Sequence, residues 1–147
     1  MTSLLSTVTR HFDPDEQRDI PGIAVQITKG VGVYIIWAGI TGTRPASSKE
    51  EYLEPIVQEG RLGADWACSM PRVKSSMPIA ATSLLKTSQD AVALPLSQRL
   101  AQRFGKQIFV SIDIPPSLTL GGNGPTLALA VEKAVVNAIK SIEETTE

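Results

Sequence analysis

Histidine and cysteine are almost missing from this chain, which contains only His11 and Cys68. A single cysteine cannot form an intrachain disulfide, which is typical of proteins in a reducing compartment. One histidine and one cysteine also fall short of the usual ligands of a zinc site. A catalytic triad needs an imidazole base, and His11 lies in a polar segment near the N-terminus. We therefore predict a protein that is not an enzyme and that has no metal and no other cofactor.

An excess of charge of one sign and a long apolar run are absent as well. The formal net charge is −1, so no global field attracts nucleic acid or an anionic membrane. The longest apolar run, residues 33–38, is far too short to cross a bilayer. Residues 1–17 lack the continuous apolar core of a signal peptide. We expect a soluble protein without nucleic-acid or membrane partners, located in the cytoplasm or also in the nucleus.

The length of 147 residues suits one domain with a core of its own. Residues 1–20 are polar with little periodicity, which predicts a variable, flexible N-terminal tail. A single domain then follows over residues 21–147. Within it, residues 41–61 are polar and interrupted by proline and glycine, which predicts an insertion loop.

Apolar periodicity predicts the regular elements of this domain. Strand patterns occupy residues 23–28, 31–40, 62–70 and 107–114, and a weaker one occupies residues 77–86. In the third pattern Trp66 and Cys68 lie on the more apolar face. Helical spacing predicts two helices, near residues 94–104 and 126–142, with Gly105 as terminator of the first. The predicted fold class is α+β, a mainly antiparallel β-sheet with two helices packed on it.

A glycine-rich loop before the last helix, residues 121–124, has the outline of a phosphate-binding loop. The glycines do not follow the G-x-G-x-x-G spacing, and no G-K-[ST] follows them. Pro125 also lacks the backbone N–H that would donate a hydrogen bond to a phosphate at this position. We therefore interpret the loop as a turn in which Asn123 and Gly124 precede the helix, with a nucleotide site as the alternative.

Two aspartates in predicted strands, Asp65 and Asp113, could in principle form an acid–base pair. The simpler interpretation is a pair of carboxylates on a solvent-facing part of the sheet, where charge discourages aggregation. Cys68 lies on an apolar strand face without a cationic neighbour in the sequence, so we interpret it as a small hydrophobic residue.

Several stretches of this sequence resemble the proteasome assembly chaperone 4 family. They are "GVYIIWAGI", "LGADWACSMPR", "MPIAATSLLKTS" and "LSQRLAQRFGKQIFVSIDI", followed by an amphipathic C-terminal helix. Order and spacing agree over residues 33–142, and residues 99–112 are the most specific part. The N-terminal residues and residues 41–61 depart from the animal proteins and are closer to a fungal-type member.

The resemblance implies a non-enzymatic assembly chaperone for the 20S proteasome. Members of the family pair with proteasome assembly chaperone 3, of similar fold, in a sandwich-like heterodimer. The pair binds an α-type subunit, the fifth, promotes formation of the α-ring and leaves before the particle matures. Alternatives that the sequence leaves open are a small nucleotide-binding or enzymatic domain using residues 121–124 and a general protein-interaction adaptor.

The predicted partner-binding residues fall into two groups. For the partner chaperone we predict contacts through the sheet and the last helix, at Trp37, Trp66, Val136 and Ile139. For the α-type subunit we predict contacts through residues 72–76 and a basic helix face, at Arg72, Lys74, Arg99, Arg103 and Lys106.

Overall fold

The computed structural model describes residues 4–41, 63–86, 91–119 and 122–146. The predicted insertion loop at residues 41–61 lies outside this part, apart from Thr41. The described residues form a six-stranded sheet with two long helices, which confirms the α+β class. The elements are β1 (Ser6–Phe12), β2 (Ile23–Gly30), β3 (Val33–Ile40), β4 (Asp65–Ser69), β5 (Ala81–Leu85), α1 (Ala93–Phe104), β6 (Gln107–Asp113), α2 (Pro116–Thr119) and α3 (Gly124–Thr146).

The strands lie in the order β1-β2-β3-β6-β4-β5. β2 and β3 form an antiparallel hairpin, and its turn contains Gly32 at φ 70°, a conformation that glycine adopts without steric cost. Every pair of neighbours is antiparallel except β3 and β6, which pair in parallel at the centre of the sheet. The sheet is thus mostly antiparallel, as predicted, with a parallel central pair that the sequence pattern did not indicate.

The N-terminal residues contribute a strand, and the prediction of a flexible tail over residues 1–20 is corrected on this point. β1 pairs with β2 along its whole length and forms one edge of the sheet. Val8 and Phe12 pack against the hydrophobic core, whereas Thr7 hydrogen-bonds Thr28 through their hydroxyls at 3.1 Å. Because only two apolar side chains of this edge strand reach the core, its sequence resembles that of a solvated segment.

The two long helices cover the same face of the sheet. α1 packs on β4, β6 and β5, and α3 packs on β2 and β3. Apolar side chains at helical spacing are buried in both helices: Leu96 and Leu100 in α1, and Leu127, Val131, Val135, Ala138 and Ile142 in α3. Gly105 ends α1 at φ 62°, and its N–H donates to the Ala101 carbonyl at 3.0 Å, as the sequence predicted.

Strand β4 packs its less apolar face on the core. Asp65, Ala67 and Ser69 are buried beneath α1, whereas Trp66 and Cys68 lie half-buried on the other face. Small residues face each other where the helix crosses the strand, and the hydroxyls of Ser69 and Ser97 hydrogen-bond at 2.6 Å. The small side chains of β4 therefore face the core because α1 lies close to the strand, although Trp66 and Cys68 on the other face are more apolar.

The described part of the glycine-rich segment forms a turn into a helix. Gly122 has φ 89°, and α3 begins at Gly124. The N–H of Leu127 donates to the carbonyl of Asn123 at 3.0 Å, so Asn123 opens the first turn of the helix. This geometry fits the interpretation of residues 122–124 as a turn.

Candidate interaction surfaces

The residues considered for catalysis lie apart from one another. His11 is in β1, with Nε2 at 3.6 Å from Asp13 Oδ1, and Cys68 Sγ accepts a long hydrogen bond from Gln107 Nε2 at 3.7 Å. Asp65 lies opposite Ile112 in the register, so Asp113 points to the other face of the sheet from Asp65. The two carboxylates cannot form an acid–base pair. Among the described residues, no group of three His, Cys, Asp or Glu side chains could hold a metal ion.

Asp65 is a structural carboxylate rather than a solvent-facing one, which corrects the prediction from sequence. Its side chain is 8% exposed, and Oδ2 accepts hydrogen bonds from the amides of Val92 at 2.7 Å and Ala93 at 3.0 Å. These amides stand at the start of α1, where a helix leaves N–H groups without partners inside the helix and favours negative charge. Asp65 thus ties the N-terminus of α1 to β4.

Arg99 connects the two long helices through Glu132. Its Nε and Nη2 donate to the two carboxylate oxygens of Glu132 at 2.8 and 2.7 Å. These hydrogen bonds raise the pKa of Arg99 above its ordinary value. Arg103, one turn further along α1, is exposed, and its guanidinium carbon lies 5.8 Å from the centre of the Phe104 ring. Of the two arginines, Arg103 is the more available to a partner.

We expect Arg99→Glu to lower the free energy of unfolding by less than about 1 kcal/mol, since the ion pair is largely exposed. Glu132→Arg added to it should restore the opposite charges and recover most of the loss, as measured by urea unfolding. Arg103→Glu is the matched control and should change stability by less than about 0.5 kcal/mol. A double variant no more stable than Arg99→Glu alone would contradict the pairing.

The two apolar residues of α3 predicted to contact a partner face the chain's own sheet. Ile139 is fully buried in the core, and Val136 is half-buried against it. Ile139 therefore offers no surface to a partner, and this part of the prediction is corrected. The outer side of α3 is instead formed by charged and polar residues with one exposed apolar side chain, Leu129, at 52% exposure.

The sheet face away from α1 and α3, called here the open face, carries both tryptophans and Phe109. Trp37 and Trp66 flank Ser111 across neighbouring strands, and Ile35 and Phe109 form the adjacent row. Trp37 is only 6% exposed because its ring lies over Gly39, where a Cβ atom would meet it. Trp66 is half-buried. Two apolar residues of this face are exposed, Ile35 at 43% and Leu85 at 41%, and the sequence prediction named neither of them.

One end of the sheet combines exposed cations with exposed apolar side chains. This basic end comprises the loop between β4 and β5 (residues 70–80), the turn between β2 and β3, and Lys106. These parts adjoin because Ser69 pairs with Ile108 and because the Gln107 amide donates to the Gly32 carbonyl at 3.0 Å. Within the loop, Arg72 and Lys74 are exposed beside Val73 and Met77, which are 86% and 53% exposed.

A sheet with one partly apolar open face and one basic end gives this α+β domain two surfaces suited to contact with other proteins. The sequence model of proteasome assembly chaperone 4 matches residues 22–114, and the chain belongs to that family. The family consists of assembly chaperones rather than enzymes, so the predictions of family and of a non-enzymatic protein are confirmed.

The fold is similar to that of a solved structure described as a novel chaperone complex for yeast 20S proteasome assembly. A chain of that complex superposes with a TM-score of 0.59 at 16% sequence identity, and the match covers 97% of this chain and 98% of that chain. No curated protein matches the sequence. None of the helices among the described residues is long and apolar enough to span a membrane.

Proposed function

We propose that this proteasome assembly chaperone works as one half of a heterodimer, with proteasome assembly chaperone 3 as the other half. The observation that carries the proposal is the open face. An antiparallel sheet commonly packs one face on a core and exposes polar side chains on the other. Here the second face carries Ile35, Trp66, Phe109 and Leu85, which is the composition of a face that another layer covers.

A second sheet is the layer that fits this face best. Two sheets pack about 10 Å apart with their side chains interdigitated. The flat ring of Trp37 over Gly39 leaves the centre of the open face even, while Ile35 and Leu85 project beside it. A partner of the same fold would supply a matching face, and the helices of both chains would then lie on the outside of a sandwich. The yeast complex of similar fold supports a paired chaperone.

The client of the heterodimer, in this proposal, is an α-type subunit of the 20S proteasome, the fifth, during formation of the α-ring. A chaperone that covers subunit surface prevents wrong associations, and a moderate affinity allows an arriving subunit to displace it before the particle matures. The exposed cations Arg72, Lys74 and Arg103 are available for this contact. Arg99 is engaged by Glu132 and contributes less.

Ile35→Asp tests the heterodimer. Burying an unpaired carboxylate between two sheets costs at least about 3 kcal/mol, so we expect affinity for proteasome assembly chaperone 3 to fall about 100-fold. The measurement is native mass spectrometry of the two co-expressed chains, followed by titration of the purified partners. Leu129→Asp is the matched control, because Leu129 is comparably exposed but lies on the outer side of α3.

Both variants should keep the wild-type melting temperature within a few degrees, since the replaced side chains are at least 40% exposed. If the heterodimer still forms with Ile35→Asp, or if Leu129→Asp weakens it equally, the open face is not the surface that binds the partner. If the wild-type chain does not pair with proteasome assembly chaperone 3, the proposed heterodimer is wrong.

A further inference from the structure

A cavity of about 560 Å³ opens at the basic end, between the start of β1, the turn between β2 and β3, and the last turn of α3. It lies on the helix-bearing side of the sheet, beside the C-terminal end of α3, whereas the open face is the opposite side of the sheet. Its floor is apolar and includes Val8 and Ile142. Leu4 and Val31 stand at its rim, at 76% and 84% exposure. The cavity is therefore a separate surface from the one proposed for the heterodimer.

Arg10, Lys29 and Lys106 are the charged residues that line this cavity in the described part of the chain. Lys29 Nζ donates to the Thr146 hydroxyl at 3.0 Å, and Lys106 Nζ lies 5.6 Å from the centre of the Tyr34 ring. Arg10 makes only a long hydrogen bond, 3.4 Å, to the carbonyl of Thr9. Within the described part of the chain, none of these cations forms an ion pair.

The negative charge at the last turn of α3 balances only part of the positive charge around the cavity. The C-terminus of a helix carries about half a negative charge, which suits one nearby lysine such as Lys29. The carboxylate of Glu143 is engaged at 3.0 Å by the Tyr34 hydroxyl. The three cations thus outnumber Glu143 and Glu144, the described carboxylates in the last turn of α3.

Acidic residues collect at the other end of the sheet. Asp13, Asp15, Glu16 and Asp19 follow β1, next to the ends of β2 and β3 that are opposite the cavity. The molecule is therefore polarised along its strands although its net charge is only −1. A partner with negative charge is drawn to the cavity end and repelled by the other end.

We infer that this cavity binds an acidic segment of a client protein in which carboxylates flank an apolar side chain. The apolar side chain would occupy the floor over Val8 and Ile142, and the carboxylates would meet Lys29, Lys106 and Arg10. The inference rests on the proposed function only in taking the client to be a protein. An apolar floor favours a peptide over nucleic acid, because a nucleic-acid backbone binds through its phosphates to cations and does not need an apolar pocket.

The test uses the full chain and a fluorescent peptide of alternating leucine and glutamate, with a glutamine-for-glutamate peptide as its control. We expect the acidic peptide to bind and the glutamine peptide to bind about tenfold more weakly. Lys29→Glu with Lys106→Glu should weaken the acidic peptide at least about tenfold, because two charge contacts become repulsive. Lys133→Glu with Lys140→Glu is the matched control, since it makes the same charge change on the outer side of α3.

Val31→Asp is a second variant that does not depend on the lysines. Val31 is 84% exposed in a turn, so its replacement should leave the fold intact and still weaken the acidic peptide severalfold. Equal binding to wild type and to both cavity variants would overturn the inference. Tighter binding of a single-stranded oligonucleotide or of phosphatidylserine vesicles through the same lysines would overturn it as well.

The outcome is separable from that of the proposed function. Loss of pairing with proteasome assembly chaperone 3 in Ile35→Asp, with peptide binding unchanged, supports both assignments. Peptide binding by a chain that never pairs with that partner would leave the cavity inference standing and remove the heterodimer.

Discussion

Replacement of Asp65 by alanine is expected to lower the free energy of unfolding by about 3 kcal/mol. Hydrogen bonds to a charged acceptor each contribute about 1.5–3 kcal/mol, and loss of a helix cap costs about 0.5–2 kcal/mol. Asp65 is both the cap of α1 and the link between that helix and β4. Its removal leaves the amides of Val92 and Ala93 without an acceptor, the latter in a fully buried residue. Urea unfolding followed by circular dichroism measures the change.

A graded series separates the cap from a general effect of charge. Asp65→Asn keeps one oxygen acceptor and loses the charge, so we expect it to fall between wild type and Asp65→Ala. Glu144→Ala removes an exposed carboxylate from α3 and should change stability by less than about 0.5 kcal/mol. If Asp65→Ala were as stable as the Glu144 control, the carboxylate would not hold the start of α1.

A second large effect is expected at high pH, through Tyr34. Burial, together with the hydrogen bond to Glu143 and the charge of that carboxylate, raises the pKa of Tyr34 from 10.0 to about 12. The folded state thus holds the phenol proton more tightly than the unfolded state does. The resulting stability is complete below pH 10 and is lost as the pH rises toward 12. The loss amounts to about 1.4 kcal/mol for each pKa unit between the two states.

Tyr34→Phe isolates this contribution because it has no proton to lose. The difference in unfolding free energy between wild type and Tyr34→Phe should be constant up to pH 10 and should then shift against wild type. Glu143→Gln should retain part of the pKa shift, since burial, its leading cause, remains. A difference that stays constant up to pH 12 would show that the phenol ionises equally well in both states.

The strands and helices predicted from sequence are those in which apolar residues recur at a regular spacing along the whole element. β2, β3, α1 and α3 each bury one regular set of side chains, so their existence and core faces follow from spacing alone. β1 was missed because an edge strand needs few apolar contacts, and its alternating threonines also suit a solvated segment. The parallel pairing of β3 with β6 joins segments distant along the chain, and a local pattern does not contain that information.

The core-facing side of β4 does not follow from its apolar pattern, because hydrophobicity and packing favour opposite sets of residues. Trp66 and Cys68 are the more apolar set, yet Ala67 and Ser69 are small enough for α1 to lie close to the strand. The candidate surfaces show the same limit. The exposed cations at 72 and 74 could be predicted from composition, whereas the exposure of Ile35 and the burial of Ile139 depend on which elements pack against them.

The parallel pairing at the centre of the sheet has a consequence for the order in which the chain folds. The hairpin of β2 and β3 closes over a two-residue turn, and β4 with β5 closes over the loop of residues 70–80. The strands β3 and β6 meet only after a much longer length of chain has been closed, which is slow on entropic grounds. We expect β1-β2-β3 and β6-β4-β5 to form first, each with an unpaired strand edge, and β3 to pair with β6 last.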